Sequence, residues 1–164
     1  EARAAIQKIE ARIGALASLY DLLYVTGSIE EIELSDYLGR VVDSAAAGHG
    51  ADAKGIVVER SIEAFKIDVK RAVSLGLMVN ELVTNSLKYA FPDGRRGRIA
   101  VRLSLERGKI ALSVEDDGIG ADEATIADGS GFGLTLVRSL SAQLDASLSI
   151  RNGRGLQVEL RLSP

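Results

Sequence analysis

Glu81, Asn85 and Lys88 recur at intervals of four and three residues within NELVTNSLKY (80–89), a segment with the pattern of a helix. Residues three and four positions apart share a helix face, so a carboxylate, an amide oxygen and an ammonium group would line one stripe. Mg²⁺ prefers hard oxygen ligands, and phosphate attracts lysine. The stripe suits magnesium with phosphate oxygens, although a polar helix face is more commonly just solvated.

A second candidate site is the run EDDGIG (115–120), which directly follows an apolar strand. A carboxylate at a strand end, such as Asp116, can accept a hydrogen bond from an amine and so discriminate against ligands that lack the donor. Gly118 and Gly120 would let the backbone approach a flat ring closely. An acidic turn is the simpler alternative, whereas a calcium loop would need ligand spacing that is missing here.

A third candidate is the glycine-rich run GSGFGL (129–134), which precedes a predicted helix. Free backbone N–H groups and the helix dipole favour phosphate at a helix N-terminus. A plain turn is the commoner meaning of alternating glycines. The run lacks the closing lysine of a Walker loop and has no parallel βαβ unit around it, so neither P-loop nor Rossmann binding fits.

The elements that must position these residues can be predicted from periodicity and turn signals. After residue 30 we expect helices over 36–47, with Ser35 as N-cap, over 69–90 and over 133–144. Residues 115–130 lack periodicity and are expected to form a mobile loop. The predicted fold class is α+β, a two-layer sandwich with a mixed, mostly antiparallel sheet and helices on one face. Its strands are expected at 56–59, 64–67, 98–106, 109–114, 146–151 and 156–162.

The N-terminal region carries a different pattern. Between Ala2 and Tyr24, apolar residues recur at alternating steps of three and four, which is typical of a helix in a bundle; an amphipathic helix packed on its own domain is the alternative. Because the chain begins with Glu1 rather than Met, we expect it to be a fragment of a longer protein. The apolar residues are Ile6, Ile9, Ile13, Leu16, Tyr20 and Leu23.

Composition excludes several classes of function. The 164 residues carry a net charge of -3, so no overall positive field would attract nucleic acid. With no cysteine and one histidine, a disulfide framework or a typical zinc site is not expected. No apolar run approaches the roughly 20 residues of a membrane span, and we expect a cytoplasmic protein. His49, between two glycines, is expected to be a solvated loop residue rather than a phosphate acceptor.

The order and spacing of the three motifs resemble the ATP-binding domain shared by gyrases, heat-shock chaperones, histidine kinases and mismatch-repair proteins. Within that superfamily, VNELVTNSLKYAFPDGRRG, LSVEDDGIG and GFGLTLVRSLSAQLDASLSI are similar to type 2 sensor histidine kinases. The resemblance implies the Bergerat ATP-binding fold, with ATP and Mg²⁺ held between the motif helix and a lid. It also implies two regions: residues 1–30 as the second helix of a dimerisation bundle, and residues 31–164 as the catalytic domain.

The resemblance assigns roles to individual residues. Asn85 corresponds to the magnesium ligand, Glu81 to the residue that assists proton transfer, Lys88 to a catalytic lysine near phosphate, and Tyr89 to a nucleotide contact. Asp116 corresponds to the aspartate that binds the adenine amine. The remaining implied nucleotide-binding residues are Gly118, Gly120, Gly131, Phe132, Gly133 and Leu134.

One departure concerns the final hairpin. The family often has a Gly-Thr pair there, and this chain has Gly155-Leu156, so a hydroxyl contact to adenine is in doubt at that position.

The function that the resemblance implies is phosphoryl transfer from ATP to a histidine upstream of this chain, and then to the receiver domain of a response regulator. The other implied partner is a second copy, through the dimerisation helices; neither nucleic acid nor membrane contact is expected for this stretch. Two alternatives stay open: a serine kinase of the anti-sigma-factor type, and a non-catalytic ATP-binding interaction module.

Overall fold

A computed structural model describes residues 31–122 and 132–163 of the chain. The helix predicted between Ala2 and Tyr24 lies outside the described residues, as does the proposed division at residue 30. The same holds for most of the glycine-rich run, including Gly131, and for most of the lid expected up to residue 130. None of the described helices is both long enough and apolar enough to cross a membrane.

Seven strands and three main helices make up the described part of the chain. In chain order they are β1 (Glu31–Glu33), α1 (Leu34–Gly48), β2 (Ile56–Ile62), β3 (Lys66–Asp68), α2 (Val69–Asn85), β4 (Gly97–Glu106), β5 (Lys109–Asp116), α3 (Phe132–Gln143), β6 (Ser147–Gly153) and β7 (Gly155–Leu162).

Five of the strands form one mixed sheet in the order β2-β4-β5-β7-β6. The pair β2 and β4 is parallel, and the other three pairs are antiparallel. Residues alternate between the two faces, so Val101 and Leu112 are buried under the helices while Arg102 and Glu115 form an ion pair of 3.1 Å on the outer face. The predicted two-layer α+β sandwich with a mostly antiparallel sheet is confirmed.

The helices lie in one layer against this sheet. Helix α2 packs against α1 on one side and α3 on the other, which makes it the central element of the layer. A continuous hydrophobic core joins the helices to the sheet. Tyr37 of α1 belongs to that core, and its ring lies so close to Gly76 of α2 that a methyl group there would overlap it. Burial raises the pKa of Tyr37 to about 12.

The strand expected at 64–67 belongs to a separate small sheet. It is β3, shifted to Lys66–Asp68, and it pairs with β1, a three-residue strand that the sequence pattern did not reveal. Three residues are too few to show alternation, and the pairing partner lies more than thirty residues away. The small sheet closes the domain beside the start of α2.

Two helix starts differ from expectation or were not foreseen. Helix α1 begins at Leu34, so Ser35, the predicted N-cap, lies inside the first turn. Leu34 is fully buried, and its N–H donates to the carbonyl of Phe65 over 3.0 Å. These contacts hold Leu34 in place, so the helix begins two residues earlier than predicted. At the start of α2, Asp68 is the N-cap, and its carboxylate accepts from the N–H of Arg71 over 3.0 Å.

Candidate functional site

Two residues of the polar stripe, Glu81 and Asn85, lie at the C-terminal end of α2, as the helical spacing predicted, whereas Lys88 lies just beyond it. The intervening residues Val79 and Val83 are buried in the core. Glu81 is also buried, at 3% exposure, whereas Asn85 and Lys88 are half-buried. After Asn85 the helix widens into one π-helical turn over Ser86–Ala90, which carries Lys88. Such turns interrupt α-helices at functional sites with unusual frequency.

The N-terminal turn of α3 lies directly on this stripe. A methyl group on Gly133 would stand 2.6 Å from Nδ2 of Asn85 and 3.2 Å from Oε2 of Glu81. Only glycine leaves both polar side chains room at this approach. The structure therefore brings together two motifs that are separated by nearly fifty residues in the sequence.

Asp116 ends β5 and is buried, at 3% exposure, with three hydrogen-bond donors around it. Its Oδ2 accepts from the hydroxyl of Ser86 over 2.7 Å. Its Oδ1 accepts from the N–H groups of Gly118, over 3.0 Å, and Leu156, over 3.2 Å. A carboxylate oxygen has room for two donors, so Oδ2 keeps the capacity to accept one more from a ligand amine.

The neighbouring aspartate has a different task. Asp117 is exposed, and its Oδ1 accepts from the backbone N–H of Arg98 over 2.7 Å while its own N–H donates to the carbonyl of Arg98 over 3.1 Å. Arg95 donates to the Asp117 carbonyl over 2.7 Å. Asp117 thus joins the end of β5 to the start of β4 by hydrogen bonds. Of the two aspartates, only Asp116 is buried.

Close backbone approaches fix Asp116 in its place. A methyl group on Gly155 would overlap the carbonyl oxygen of Asp116, and Gly155 has a φ of 95°. A methyl group on Gly118 would overlap Ala90 at the end of the π-helical turn. The N–H of Ile119 donates to the Ala90 carbonyl over 3.0 Å. The strand end, the end of the motif helix and the β6–β7 hairpin meet around one carboxylate.

Asn152 makes a contact beside the aspartate motif that the sequence pattern did not predict. It was assigned only to the turn of the last hairpin, but its Oδ1 accepts from the Ala121 N–H over 3.0 Å and its Nδ2 donates to the Ala121 carbonyl over 2.7 Å. Gly120, with a φ of 76°, lies so close that a methyl group there would overlap Oδ1 of Asn152. No local sequence pattern predicts this contact, because Ala121 and Asn152 are about thirty residues apart in the chain.

A cationic cavity adjoins the end of α2. It measures about 560 Å³, and its charged lining residues are Asp52, Lys54, Lys88, Arg95 and Arg96. Lys54 reaches the end of the motif helix, where its ammonium group lies 3.5 Å from the Leu87 carbonyl. Lys88 therefore lines a region of positive charge.

His49 lies near this cavity and is half-buried rather than freely solvated. Burial lowers its pKa from the ordinary value, the charges of Lys88 and Lys54 lower it further, and its hydrogen bond with the Ala45 carbonyl, 3.0 Å long, acts in the opposite direction. The imidazole thus caps the C-terminal end of α1, a structural task.

The remaining predicted site residues divide into three groups. Tyr89 and Gly118 lie at the same end of the sheet as Asp116, and Tyr89 is 63% exposed. Leu134 is buried in the first turns of α3. Gly131 lies outside the described residues, and for Phe132 only the backbone, which begins α3, is described.

The residues present fit a nucleotide with magnesium. Ser86 and Asn85 are adjacent in the chain, and they face Asp116 and Gly133 respectively, so the buried carboxylate and the polar stripe share one end of α2. The stripe offers amide and carboxylate oxygens, which are ligands that Mg²⁺ prefers. Because Gly133 has no side chain, the backbone of α3 can lie close to these groups without displacing them. The arrangement defines a nucleotide-binding domain of the α/β sandwich class.

Comparison with known proteins agrees with this class. The family of histidine kinase-, DNA gyrase B- and HSP90-like ATPases matches residues 70–164. The match covers more than half of the chain, which therefore belongs to this family.

Individual relatives are sensor kinases. Blue-light-activated histidine kinase 2 of Erythrobacter litoralis is 33% identical over 157 residues, which are 91% of this chain and 44% of that protein. Sensor histidine kinase PdtaS of Mycobacterium tuberculosis is 29% identical over 167 residues, covering 99% of this chain and 33% of that protein. The chain spans less than half the length of either relative.

A solved structure is similar over the same region. It is the histidine kinase domain from the Erythrobacter litoralis EL346 blue-light activated histidine kinase, with 30% identity and a TM-score of 0.87. The alignment covers 94% of this chain and 74% of that chain.

Proposed function

We propose that this chain is the ATP-binding catalytic region of a sensor histidine kinase. The observation that carries the proposal is the buried carboxylate of Asp116, held by three donors and joined through Ser86 to the helix of Glu81, Asn85 and Lys88. One end of this arrangement suits an adenine amine, and the other suits a metal-bound triphosphate.

Each residue of the site has a physical task in this proposal. Asp116 accepts the adenine amine on Oδ2 and rejects bases that lack the donor. Asn85 holds Mg²⁺, whose charge neutralises the phosphates, and Lys88 attracts the same phosphates. Glu81, buried beside Asn85 and the α3 N-terminus, takes the proton of the attacking imidazole. Phosphoryl transfer then depends mainly on alignment and charge neutralisation.

The rest of the nucleotide site surrounds these four residues. Glycines permit close backbone approach to the nucleotide, while Tyr89 and the start of α3 contribute contacts. These further residues are Tyr89, Gly118, Gly120, Gly131, Phe132, Gly133 and Leu134.

The partners of the whole protein follow from the same proposal. The acceptor histidine lies upstream on a bundle helix, and residues 1–30 form the second helix of that bundle, through which two copies pair. The phosphoryl group passes on to the receiver domain of a response regulator. The reaction takes place in the cytoplasm, where ATP is available.

Nucleotide binding is tested by titrating the chain with a fluorescent ATP analogue in the presence and absence of Mg²⁺. Asn85→Ala should abolish magnesium-dependent binding without changing the melting temperature by more than a few degrees, because Asn85 is half-buried. Lys70→Ala, on an exposed position of the same helix, is the matched control and should bind like the wild type. Unchanged affinity in Asn85→Ala would favour a non-catalytic interaction module.

The acceptor is tested in the full-length protein that contains this chain. After incubation with labelled ATP and magnesium, phosphate on a histidine is lost in acid and retained in base, whereas phosphate on a serine survives acid. Acid-labile label supports the proposal. Acid-stable label would identify a serine kinase of the anti-sigma-factor type instead.

A further inference from the structure

Two buried polar groups on α2 lack hydrogen-bond partners in the described part of the chain. They are Nδ2 of Asn80 and Oγ1 of Thr84, on residues that are only 4% and 5% exposed. Buried polar groups are bonded in the great majority of cases, and a group left unpaired costs free energy because it has given up water. The two residues therefore indicate a partner that lies outside the described part of the chain.

Other buried hydroxyls of the helix layer show the normal arrangement. The hydroxyl of Ser74, also on α2, donates to the Lys70 carbonyl one turn earlier over 3.1 Å. The hydroxyl of Ser141 on α3 lies 2.7 Å from the Val137 carbonyl. Thr84 could satisfy itself in the same way and does not. The unpaired hydroxyl of Thr84 thus differs from the usual arrangement, in which a buried Ser or Thr hydroxyl in a helix bonds a carbonyl of the preceding turn.

The positions of the two residues connect them with the proposed phosphate site. Asn80 and Thr84 are four residues apart, so they form one row on α2, directly beside the row of Glu81 and Asn85. At 1.5 Å per residue, the two residues are about 6 Å apart along the helix axis. Two groups at this separation can contact different phosphates of one chain.

The chemistry of the free groups specifies the partner. The amide nitrogen of Asn80 can only donate and so needs an acceptor oxygen, and the hydroxyl of Thr84 can donate to an acceptor of the same kind. Phosphate oxygens are strong acceptors that carry no proton to donate near neutral pH. Since magnesium keeps several waters when it binds nucleotides, one water can also bridge the distance.

We propose that Asn80 and Thr84 are positioning residues for the triphosphate of the bound nucleotide, to whose oxygens their free groups hydrogen-bond directly or through one water. This inference rests on the proposed function, since it assigns ATP to the site. Thr84 is the nearer of the two to the π-helical turn that carries Lys88, and it contacts the middle of the phosphate chain. Asn80, beside Glu81, lies at the level of the terminal phosphate that is transferred.

The inference predicts opposite effects of one substitution on the free and the bound protein. Thr84→Val keeps the side-chain shape and removes the hydroxyl. Without nucleotide, its melting temperature should rise by about 2–4 °C, because an unpaired buried group has been eliminated. Its affinity for magnesium-ATP should fall about tenfold, the loss of one hydrogen bond to a charged group. Most substitutions that weaken binding do not stabilise the free protein.

The experiment measures melting temperature and ATP-analogue affinity for the wild type, Thr84→Val and Thr84→Ser. Thr84→Ser keeps the hydroxyl and should retain wild-type affinity. Asn80→Leu should weaken ATP binding more than ADP binding, because Asn80 is assigned to the terminal phosphate. Ser74→Ala, which removes a buried hydroxyl that already has a partner, should leave the affinity unchanged.

The outcomes separate this inference from the proposed function. If the wild-type chain binds no ATP, the proposed function fails and the inference fails with it. If the wild type binds ATP and Thr84→Val binds equally well, the inference alone is overturned, and the two residues are merely a packing defect. A lower melting temperature for Thr84→Val would also overturn it, because the hydroxyl would then have a partner in the free protein.

Discussion

The hydroxyl of Ser86 lies 2.7 Å from Oδ2 of Asp116 and joins the first residue after α2 to the last residue of β5. Ser86 follows Asn85 directly in the chain. The same turn of backbone therefore carries both the hydroxyl that bonds Asp116 and the side-chain amide of Asn85 in the polar stripe. The distance between the base-recognising end and the phosphate end of the proposed site is therefore set by a short, continuous piece of backbone.

Removal of the Ser86 hydroxyl should destabilise the domain. Ser86→Ala takes away a donor from a buried carboxylate, and the loss of such a hydrogen bond costs about 1–3 kcal/mol. Urea unfolding followed by circular dichroism measures the difference. Ser104→Ala is the matched control, since Ser104 bonds the exposed carboxylate of Glu106, and its cost should stay below about 0.5 kcal/mol. Equal costs in the two variants would contradict the role of Ser86.

Gly155 and Gly153 should respond differently to the same substitution, although both lie in the β6–β7 hairpin. In Gly155→Ala the new methyl group meets the carbonyl of Asp116 at a φ of 95°, so we expect a loss of more than about 3 kcal/mol or a failure to fold. Gly153 has open space around it and should accept alanine with little effect. Thermal melts of both variants test this, and a stable Gly155→Ala protein would be inconsistent with the backbone contact.

Gly133→Ala should weaken ATP binding without a comparable change in the stability of the folded domain. Alanine is a better helix former than glycine by about 1 kcal/mol, so α3 itself gains. The methyl group, however, stands 2.6 Å from Asn85 and must displace its amide. We expect ATP-analogue affinity to drop at least tenfold while the melting temperature changes little.

A control for this substitution is available in α1. Gly48 is also a helical glycine, and nothing lies within 4 Å of the added methyl group. Gly48→Ala should keep wild-type affinity. If Gly133→Ala binds as tightly as Gly48→Ala, the approach of α3 to the polar stripe has no functional meaning.

Asn152 should control the order of the segment that follows the aspartate motif. Asn152→Ala removes both hydrogen bonds to Ala121, while the exposed position makes a large loss of global stability unexpected. Hydrogen exchange should become faster at residues 119–122, and ATP affinity should fall several-fold. Arg151→Ala, on the neighbouring exposed position, provides the control. Unaltered exchange in Asn152→Ala would show that the segment is held by other contacts.

The domain should lose stability as the pH falls past the ordinary pKa of histidine. Burial, followed by the charges of Lys88 and Lys54, lowers the pKa of His49 in the folded state, so the unfolded chain binds its proton first. The contribution of neutral His49 to the free energy of unfolding is fully present above about pH 7.5. It is lost as the pH drops through about 6.5 towards the lower pKa that His49 has in the folded state.

Because the chain has one histidine, its imidazole can be followed without ambiguity by NMR. Lys54→Gln should raise the pKa of His49 but recover only part of the shift, since burial is the largest cause. A pKa of His49 at or above the value of an unstructured peptide would contradict the structure.

The local features of the site could be predicted from the sequence. An α-helix repeats every 3.6 residues whatever surrounds it, so the spacing of Glu81 and Asn85 was enough to place them on one stripe. In the same way, alternation in β4, β5 and β7 predicted a half-buried sheet, and the motif order led to the correct family. The π-helical turn that carries Lys88 was not predicted. Ser35 was wrongly taken as an N-cap because burial of Leu34, a tertiary effect, decided the start of α1.

Only the tertiary structure decided what surrounds Asp116. Ser86, Gly155 and Leu156 reach it from positions thirty to forty residues away, and Asn152 holds Ala121 across a similar distance. Backbone periodicity carries no information on such pairs, because the side chains meet only after helices and strands have packed. The sequence by itself determined which groups share one helix face or one strand end. Packing of the sheet against the helix layer determined which of those faces and ends became neighbours, since burial of the common core admits few arrangements.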